Sequence, residues 1–293
     1  MTTVAAQLPT ERESVAARIG RLAVKGPVNI VLAGVGLLWL VPTIGLFLTS
    51  IMPASVSGTE GWWKVFSKPS IATFSNYSTL FHDSGLISAL KTTAIIAVGN
   101  TVLVIIIGAM AGYALAWLDF PGRDWVFIGV IGLLVVPLQM ALIPMFSIYD
   151  KLGIFDTTIS IILFHVAFGL PFAVFLLRNF FVGIPKDILE SARIDGASEL
   201  WIFLKLMLPL GLPAIASLAI FQFLWTWNDL IVALTFGQNV QPITVWIFGQ
   251  LREFGTSIDV IAPASFISLV VPLAVFFAFQ RYFVQGLLAG SVK

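Results

Sequence analysis

Long apolar runs separated by short polar links set the pattern of this chain. A membrane-spanning helix takes about 20 mainly apolar residues. Six stretches reach that length, at 28–51, 87–117, 125–147, 157–181, 207–235 and 261–285. The pattern predicts an all-α polytopic membrane protein with six transmembrane helices over 28–285, surrounded by membrane lipid. The second run exceeds what a bilayer needs, so its first turn, Ile87 to Lys91, is expected to project from the membrane. Residues 286–293 follow as a short tail.

The links between the runs differ in kind. Residues 52–86 read as a loop rich in Ser, Thr and aromatics, among them Trp62, Trp63, Phe66, Phe74, Tyr77 and Phe81. The 119–124 link (DFPGRD) predicts a tight turn on Pro121 and Gly122. Residues 236–260 read as a long, mildly polar loop. Its 241–246 stretch, including Gln241, Pro242, Thr244 and Trp246, is apolar enough to pack against its own protein or a partner. Pro137, Pro144, Pro171, Pro209, Pro213, Pro263 and Pro272 lie within or at the ends of runs. Each frees a backbone carbonyl and kinks a helix, which a membrane tolerates where neighbouring helices or internal water satisfy it.

Composition agrees with the pattern. Of the 293 residues, 58% are hydrophobic and 11% charged, with mean hydropathy +0.99; a soluble domain carries about a quarter charged residues. Net charge is +1, so nothing points to nucleic acid. There are no cysteines, which excludes disulfides, thiolate metal sites and cysteine nucleophiles. Residues 1–27 mix Glu11, Arg12, Glu13, Arg18, Arg21 and Lys25, unlike the n-region of a cleaved signal, so the first run reads as a retained anchor. Ala16, Ile19, Leu22 and Ala23 recur at helical spacing; residues 11–25 are either a helix on the membrane surface or a partly ordered tail.

Charge also orients the spans. With the N-terminus in the cytoplasm, eleven Lys/Arg fall inside: Arg12, Arg18, Arg21, Lys25, Arg123, Arg178, Lys186, Arg193, Lys205, Arg281 and Lys293. Five fall outside: Lys64, Lys68, Lys91, Lys151 and Arg252. Both termini and the 183–209 link are therefore expected in the cytoplasm.

That link is a helix-prone hairpin carrying both signs of charge. Pro185 suits the first position of a helix, and Ile188, Leu189 and Ala192 form an apolar stripe among Lys186, Asp187, Glu190 and Arg193. Gly196 suits the left-handed residue that ends a helix. Ser198 is placed to cap the next helix, with Pro209 opening the fifth span. Ser191, Ala192, Gly196 and Ala197 are small enough to let another protein approach the backbone. Physically the hairpin is equally a docking element or an amphipathic connector on the headgroups.

Glu190-Ser191-Ala192, then Gly196, then nine residues before Leu206-Met207-Leu208-Pro209, resembles the EAA-x3-G-x9-I-x-L-P loop of ABC importer permeases. Ser191 and Leu206 depart from the pattern conservatively. The resemblance extends to the maltose-type carbohydrate permeases, closest to their G-type subunit. It rests also on residues 76–81 (NYSTLF), Phe120-Pro121-Gly122-Arg123, Pro137-Leu138-Gln139, Leu142-Ile143-Pro144, Phe223 to Leu234 (FLWTWNDLIVAL) and the ending Ala289 to Lys293. Residues 1–27 carry no match.

The resemblance implies a type I ABC importer permease fold in the cell membrane of a prokaryote. It implies a second homologous permease, an ATPase dimer that binds ATP and Mg, an external solute-binding protein and a sugar substrate. In the family this loop enters a cleft of the ATPase, which would give Glu190, Ser191, Ala192, Arg193, Asp195, Gly196, Leu208 and Pro209 coupling roles. Gly290 to Lys293 would also reach the ATPase. Residues 237–256, with Gln241, Pro242, Thr244 and Trp246, would meet the binding protein.

Polar residues within spans are costly and face a cavity or a partner. Gln222, Trp225, Thr226 and Asp229 fall at i, i+3, i+4 and i+7, predicting one helical face able to hydrogen-bond and stack a sugar, with Asn228 beside it. Alternatively, Asn228 and Asp229 hold helices together or cap a broken turn. His165 and Asn100 are further candidates, although a lone histidine within a span is more often a satisfied packing residue than a ligand; Gln139 beside Pro137 reads as mending the kinked backbone. There is no G-x-x-x-x-G-K-[ST], H-E-x-x-H or G-x-S-x-G, so no cofactor, catalytic or metal site is assigned to this chain. The rivals are a permease for a polyol, glycerol phosphate or peptide, and a membrane protein outside the ABC class. Glycerol phosphate would want basic residues facing the path, and the spans supply almost none.

Overall fold

The computed structural model describes residues 15–254 and 257–289. The Gly290 to Lys293 ending and residues 1–14 lie outside them. The described residues are helical, with no strand among them.

The first helix, α1 (Val15–Ser50), runs without a break through Pro27 and Pro42. Its outer face is exposed, Trp39 at 77%, and it leans on the last helix through a Phe47–Phe266 ring pair at 5.0 Å. The 52–86 segment is more ordered than its composition predicts. It folds as α2 (Ala54–Ser57), α3 (Lys64–Ser67), a 3-10 turn at Pro69–Ile71 and α4 (Ser75–Phe81). The side-chain amide of Asn76 donates to the carbonyls of Ser50 (3.0 Å) and Met52 (2.8 Å), fastening this cap to the end of α1.

At the centre, α5 (Ser84–Trp117) packs along α8 (Thr158–Val182). Gly108 and Gly112, a small-xxx-small pair, make the approach close. A methyl at Gly108 would lie 2.7 Å from the Ala173 Cβ, and one at Gly112 would lie 3.2 Å from the Leu177 Cβ. In lipid, where no hydrophobic drive joins helices, such backbone proximity supplies the packing energy.

The predicted third span is two helices, α6 (Arg123–Leu133) and α7 (Leu138–Lys151), bent by 99°. Pro137 holds an extended conformation (ψ 129) and offers no N–H to continue α6. The 119–124 turn forms as predicted, with Gly122 at φ +81.

The predicted fifth span is also interrupted. The 207–235 run is approached through α9 (Lys186–Ile194), α10 (Glu199–Ile202) and a π turn at Phe203–Met207, and it begins with α11 (Leu208–Leu210). After a 74° bend comes α12 (Leu212–Trp227). Pro209 does not open the span; the bend falls at Gly211, where a methyl would meet Phe181 Cε1 at 2.7 Å. Beyond α12 the chain breaks at Asn228–Leu230 before α13 (Ile231–Phe236).

The 236–260 stretch, predicted as a loop, holds α14 (Ile243–Phe254). Ile243 and Trp246 enter a buried cluster with Leu86, Ala89 and Ala264, so the apolar face satisfies itself within the chain. The final helix is α15 (Ile258–Ala289), crossed by Pro263 and Pro272. Among the described residues, four helices are singly long and apolar enough to span, and the two bent pairs bring the total to six if each is one span.

Candidate functional site

The 183–209 hairpin is built by its caps. Pro185 occupies the capping position, one residue before the first helical one. Gly196 takes φ +83, the left-handed turn that ends α9, and its N–H donates to the Arg193 carbonyl at 3.0 Å. Ser198 Oγ accepts the Trp201 N–H at 3.3 Å and starts α10.

Of the predicted apolar stripe, Leu189 alone is fully buried; it enters a core shared with Tyr113, Leu177 and Phe181 of the spans. Burying one leucine contributes about 1.5–3 kcal/mol, enough to seat α9 against the bundle. Ile188 is partly exposed, and Ile194 stands 85% exposed. A groove of about 730 Å³ opens between the two arms, lined by Ile188, Ser191, Ala192, Gly196, Trp201 and Leu206. Asp195 is also on its wall, while Leu208 and Pro209 sit beyond it in α11.

Charge organises the hairpin's surface. Lys186 Nζ lies 2.6 Å from Glu190 one turn on; this ammonium holds the Glu190 carboxyl below its ordinary range and is itself raised. Ser191 Oγ donates back to the Asp187 carbonyl. Arg193 donates from Nε to Glu199 Oε1 (2.8 Å) and from Nη2 to Glu199 Oε2 (3.3 Å), a two-pronged pair across the Gly196 bend. Tyr113 OH of α5 donates to the same Oε2 at 2.5 Å.

The second set of candidate residues converges in the interior. Asn100 of α5 donates through Nδ2 to Thr226 Oγ1 (2.7 Å) and, more weakly, Gln222 Oε1 (3.4 Å), both of α12. All three are buried, as is His165 of α8. His165 Nε2 sits 3.7 Å from Asp229 Oδ2, and its Nδ1 pairs with the Ile161 carbonyl at 2.9 Å.

The predicted single face does not form. Asp229 has left the helix, Trp225 is 40% exposed while Gln222 and Thr226 point inward, and Asn228 caps α12 with its amide on the Leu224 carbonyl. Asp229 oxygens accept the N–H groups of Val232 (3.3 Å) and Ala233 (3.0 Å), starting α13. Its carbonyl takes the Thr244 hydroxyl at 2.5 Å, tying α14 to the break. Pro242 and Trp246 are buried, leaving Gln241 the exposed member of the 241–246 set named above.

Residues 104–288 match the family described as "Binding-protein-dependent transport system inner membrane component". The chain belongs to that family. It is 45% identical over 275 residues, 92% of each chain, to the osmoprotective compounds uptake permease protein GgtD of Synechocystis sp.. It is 49% identical over 229 residues to the alpha-glucoside transport system permease protein AglG of Rhizobium meliloti, covering 75% of this chain and 60% of that one. Among solved structures, a chain from a bacterial ABC transporter that imports the acidic polysaccharide alginate aligns with TM-score 0.76 and 26% identity, covering 94% and 100% of the two chains. The fold is accordingly that of an ABC importer permease of the bacterial inner membrane.

In this permease the family match contains the hairpin and most of the polar cluster. Tyr113, Trp117 and Glu199 were not selected by the sequence reading. Glu199 had a local signal, an acid directly after the capping Ser198. Tyr113 had only its hydroxyl in an apolar run, and its partner lies 86 residues away.

Proposed function

We propose that this permease is half of the translocation path of an ATP-driven carbohydrate importer, with α-glucosides as the substrate class. It would pair with a second homologous permease and receive sugar from an external binding protein. ATP and Mg would be bound and hydrolysed by a separate ATPase dimer. With both termini in the cytoplasm, as the Lys/Arg asymmetry predicts, the 183–209 hairpin faces that ATPase.

The observation that carries the reading is the hairpin itself. Two helical arms meet at a left-handed Gly196, open a groove of about 730 Å³ and present Ile194 to solvent, while Leu189 anchors the unit in the bundle. Ile188, Ile194, Leu200 and Trp201 are all exposed on this hairpin, and Ile188 and Trp201 line the groove, an apolar patch that fits a protein partner rather than water. Glu190, Ser191, Ala192, Arg193, Asp195, Gly196, Leu208 and Pro209 would form or support that docking unit. Of the polar cluster, Trp225 and Asn228 are exposed and would face the sugar, whereas Asn100, His165, Gln222 and Thr226 hold the helices around it. Gln241 would meet the binding protein.

A second reading, a small osmolyte as cargo, is favoured by the relative whose name specifies osmoprotective compounds, since the similarity spans 92% of both chains. Reconstituting the complex in vesicles with its binding protein tests both. Hydrolysis stimulated by the α-glucoside-loaded protein is expected. Stimulation by a small osmolyte alone would select the second reading, and transport without any ATPase would end both.

A further inference from the structure

We propose that Tyr113, Arg193 and Glu199 form a latch that makes the 183–202 hairpin move as one body with α5. All three act as positioning residues between the ATPase-facing surface and the spans. The proposal rests on the coupling role given above and adds which helix receives the motion first.

The hairpin has a natural swivel at Gly196. Its φ is +83 and nothing lies within 4 Å of where a Cβ would stand, so no side chain braces the turn itself; the Ala197 N–H donates to the Ala192 carbonyl at 3.0 Å across it, and Leu189 and Ile202, one from each arm, share a buried core. The two-pronged Arg193–Glu199 pair, with one residue in each arm, adds a polar tie that sets their rotation at the surface. Paired N–H···O bonds to a carboxylate resist rotation as a single contact does not.

The closed hairpin is then fastened to α5 at two further points. Tyr113 donates to the oxygen of Glu199 that already receives Arg193, and the Tyr113 ring is buried at 5% exposure against Phe203, 5.3 Å between centroids. Arg193 Nη2 also reaches the Trp117 carbonyl, at 3.4 Å, on the last residue of α5. Trp117 in turn donates its indole N–H to the Phe181 carbonyl of α8 at 3.1 Å. Arg193 thus serves Glu199 and the end of α5 together, and the end of α5 is joined to α8.

The covalent route into the membrane is softer. From α10 the chain enters a π turn and then bends by 74° at Gly211 before α12 begins. A π turn departs from the i→i−4 bonding of the α-helix and commonly marks a functional site. A displacement of the hairpin therefore reaches the α5–α8 pair through side-chain bonds, while the bend at Gly211 absorbs the change of angle to α12.

Two measurements on the assembled importer test the latch. The first is solute transported per ATP hydrolysed in vesicles, for Tyr113→Phe, Glu199→Gln, Arg193→Glu and the exchange Arg193→Glu/Glu199→Arg. Tyr113→Phe removes a hydrogen bond to a charged group, Glu199→Gln removes the charge and one of the two accepting oxygens, and a fall of about tenfold in the transport-to-hydrolysis ratio is expected of each. The exchange is expected to recover most of what Arg193→Glu loses, which a merely structural role for either residue would not produce.

The second measurement needs no turnover. The chain has no cysteine, so Ser191→Cys and Asp119→Cys, both exposed, carry two spin labels, one on α9 and one just past α5. A narrow distance distribution that broadens with Glu199→Gln is expected. An unchanged ratio in Tyr113→Phe and Glu199→Gln, or a distribution that Glu199→Gln leaves narrow, overturns the latch. Absence of solute-stimulated hydrolysis in the unmodified complex would instead count against the coupling role, because the label distances are read without it.

Discussion

Asp229 Oδ2 lies 3.7 Å from His165 Nε2 while also accepting the Ala233 N–H at 3.0 Å. One carboxylate thus starts α13 and faces a buried imidazole of α8. Asp229→Ala removes a helix cap, worth about 1 kcal/mol, and leaves the buried ring facing an empty polar site. Loss of assembled complex and a lower unfolding temperature in detergent are expected. Asp229→Asn keeps one accepting oxygen and should assemble; if it alone among these changes the solute preference, Asp229 faces the cargo.

Gly196 offers a cleaner perturbation, because its strain is purely backbone. A β-branched residue at φ +83 costs about 1–2 kcal/mol, whereas asparagine tolerates the left-handed region. Gly196→Val is expected to lower transport per ATP hydrolysed while hydrolysis continues, and Gly196→Asn to stay near the unmodified protein. Equal behaviour of the two variants in the vesicle assay would refute the bend's role.

The α5–α8 seam should fail by overpacking. Gly108→Ala places a methyl 2.7 Å from the Ala173 Cβ, and overpacked sites cost about 1–3 kcal/mol. Ala173→Gly in the same chain should restore most of the loss, giving a favourable coupling in a double-mutant cycle on unfolding temperature. Additivity of the two changes would mean that the helices approach elsewhere.

Acid should release one link at the far end of the molecule from the hairpin. Asp156 accepts the backbone N–H of Asn239 at 2.7 Å and its side-chain amide, and these bonds hold the carboxyl below its ordinary range. A carboxyl depressed in the fold lends its stabilisation in full above the ordinary value, about 3.9, and loses it as pH falls through the lower folded value. A label at residue 239's neighbour Gln238 is expected to gain mobility only in strong acid. Asp156→Asn should make that mobility independent of pH over the same range.

The sequence shows the hairpin well because its signals are local. Gly196 and Ser198 announce a turn and a cap by residue type, and both sit where the type predicts. The interruptions of the third and fifth spans were harder to read. Apolar runs report membrane residence, not straightness, and Pro137 could as well have produced a gentle kink as a 99° bend. The helix at 243–254 was hidden because its buried side, Ile243 and Trp246, is short and its other residues are mixed. The polar cluster was legible as a set of residues but not as a shape. Helical spacing placed Gln222 and Thr226 correctly and failed at Asp229, where the helix had already ended at Trp227.

The glycine seam between α5 and α8 has one more consequence. Gly and Ala carry no side-chain rotamers, so Gly108, Gly112 and Ala173 can neither fluctuate nor repack into a second arrangement. A joint without alternatives cannot act as a switch. Conformational change in this permease must then be partitioned to either side of it, into the bends at 134–137 and Gly211 and the break at 228–230, with the α5–α8 pair carried along by the hairpin as one rigid unit.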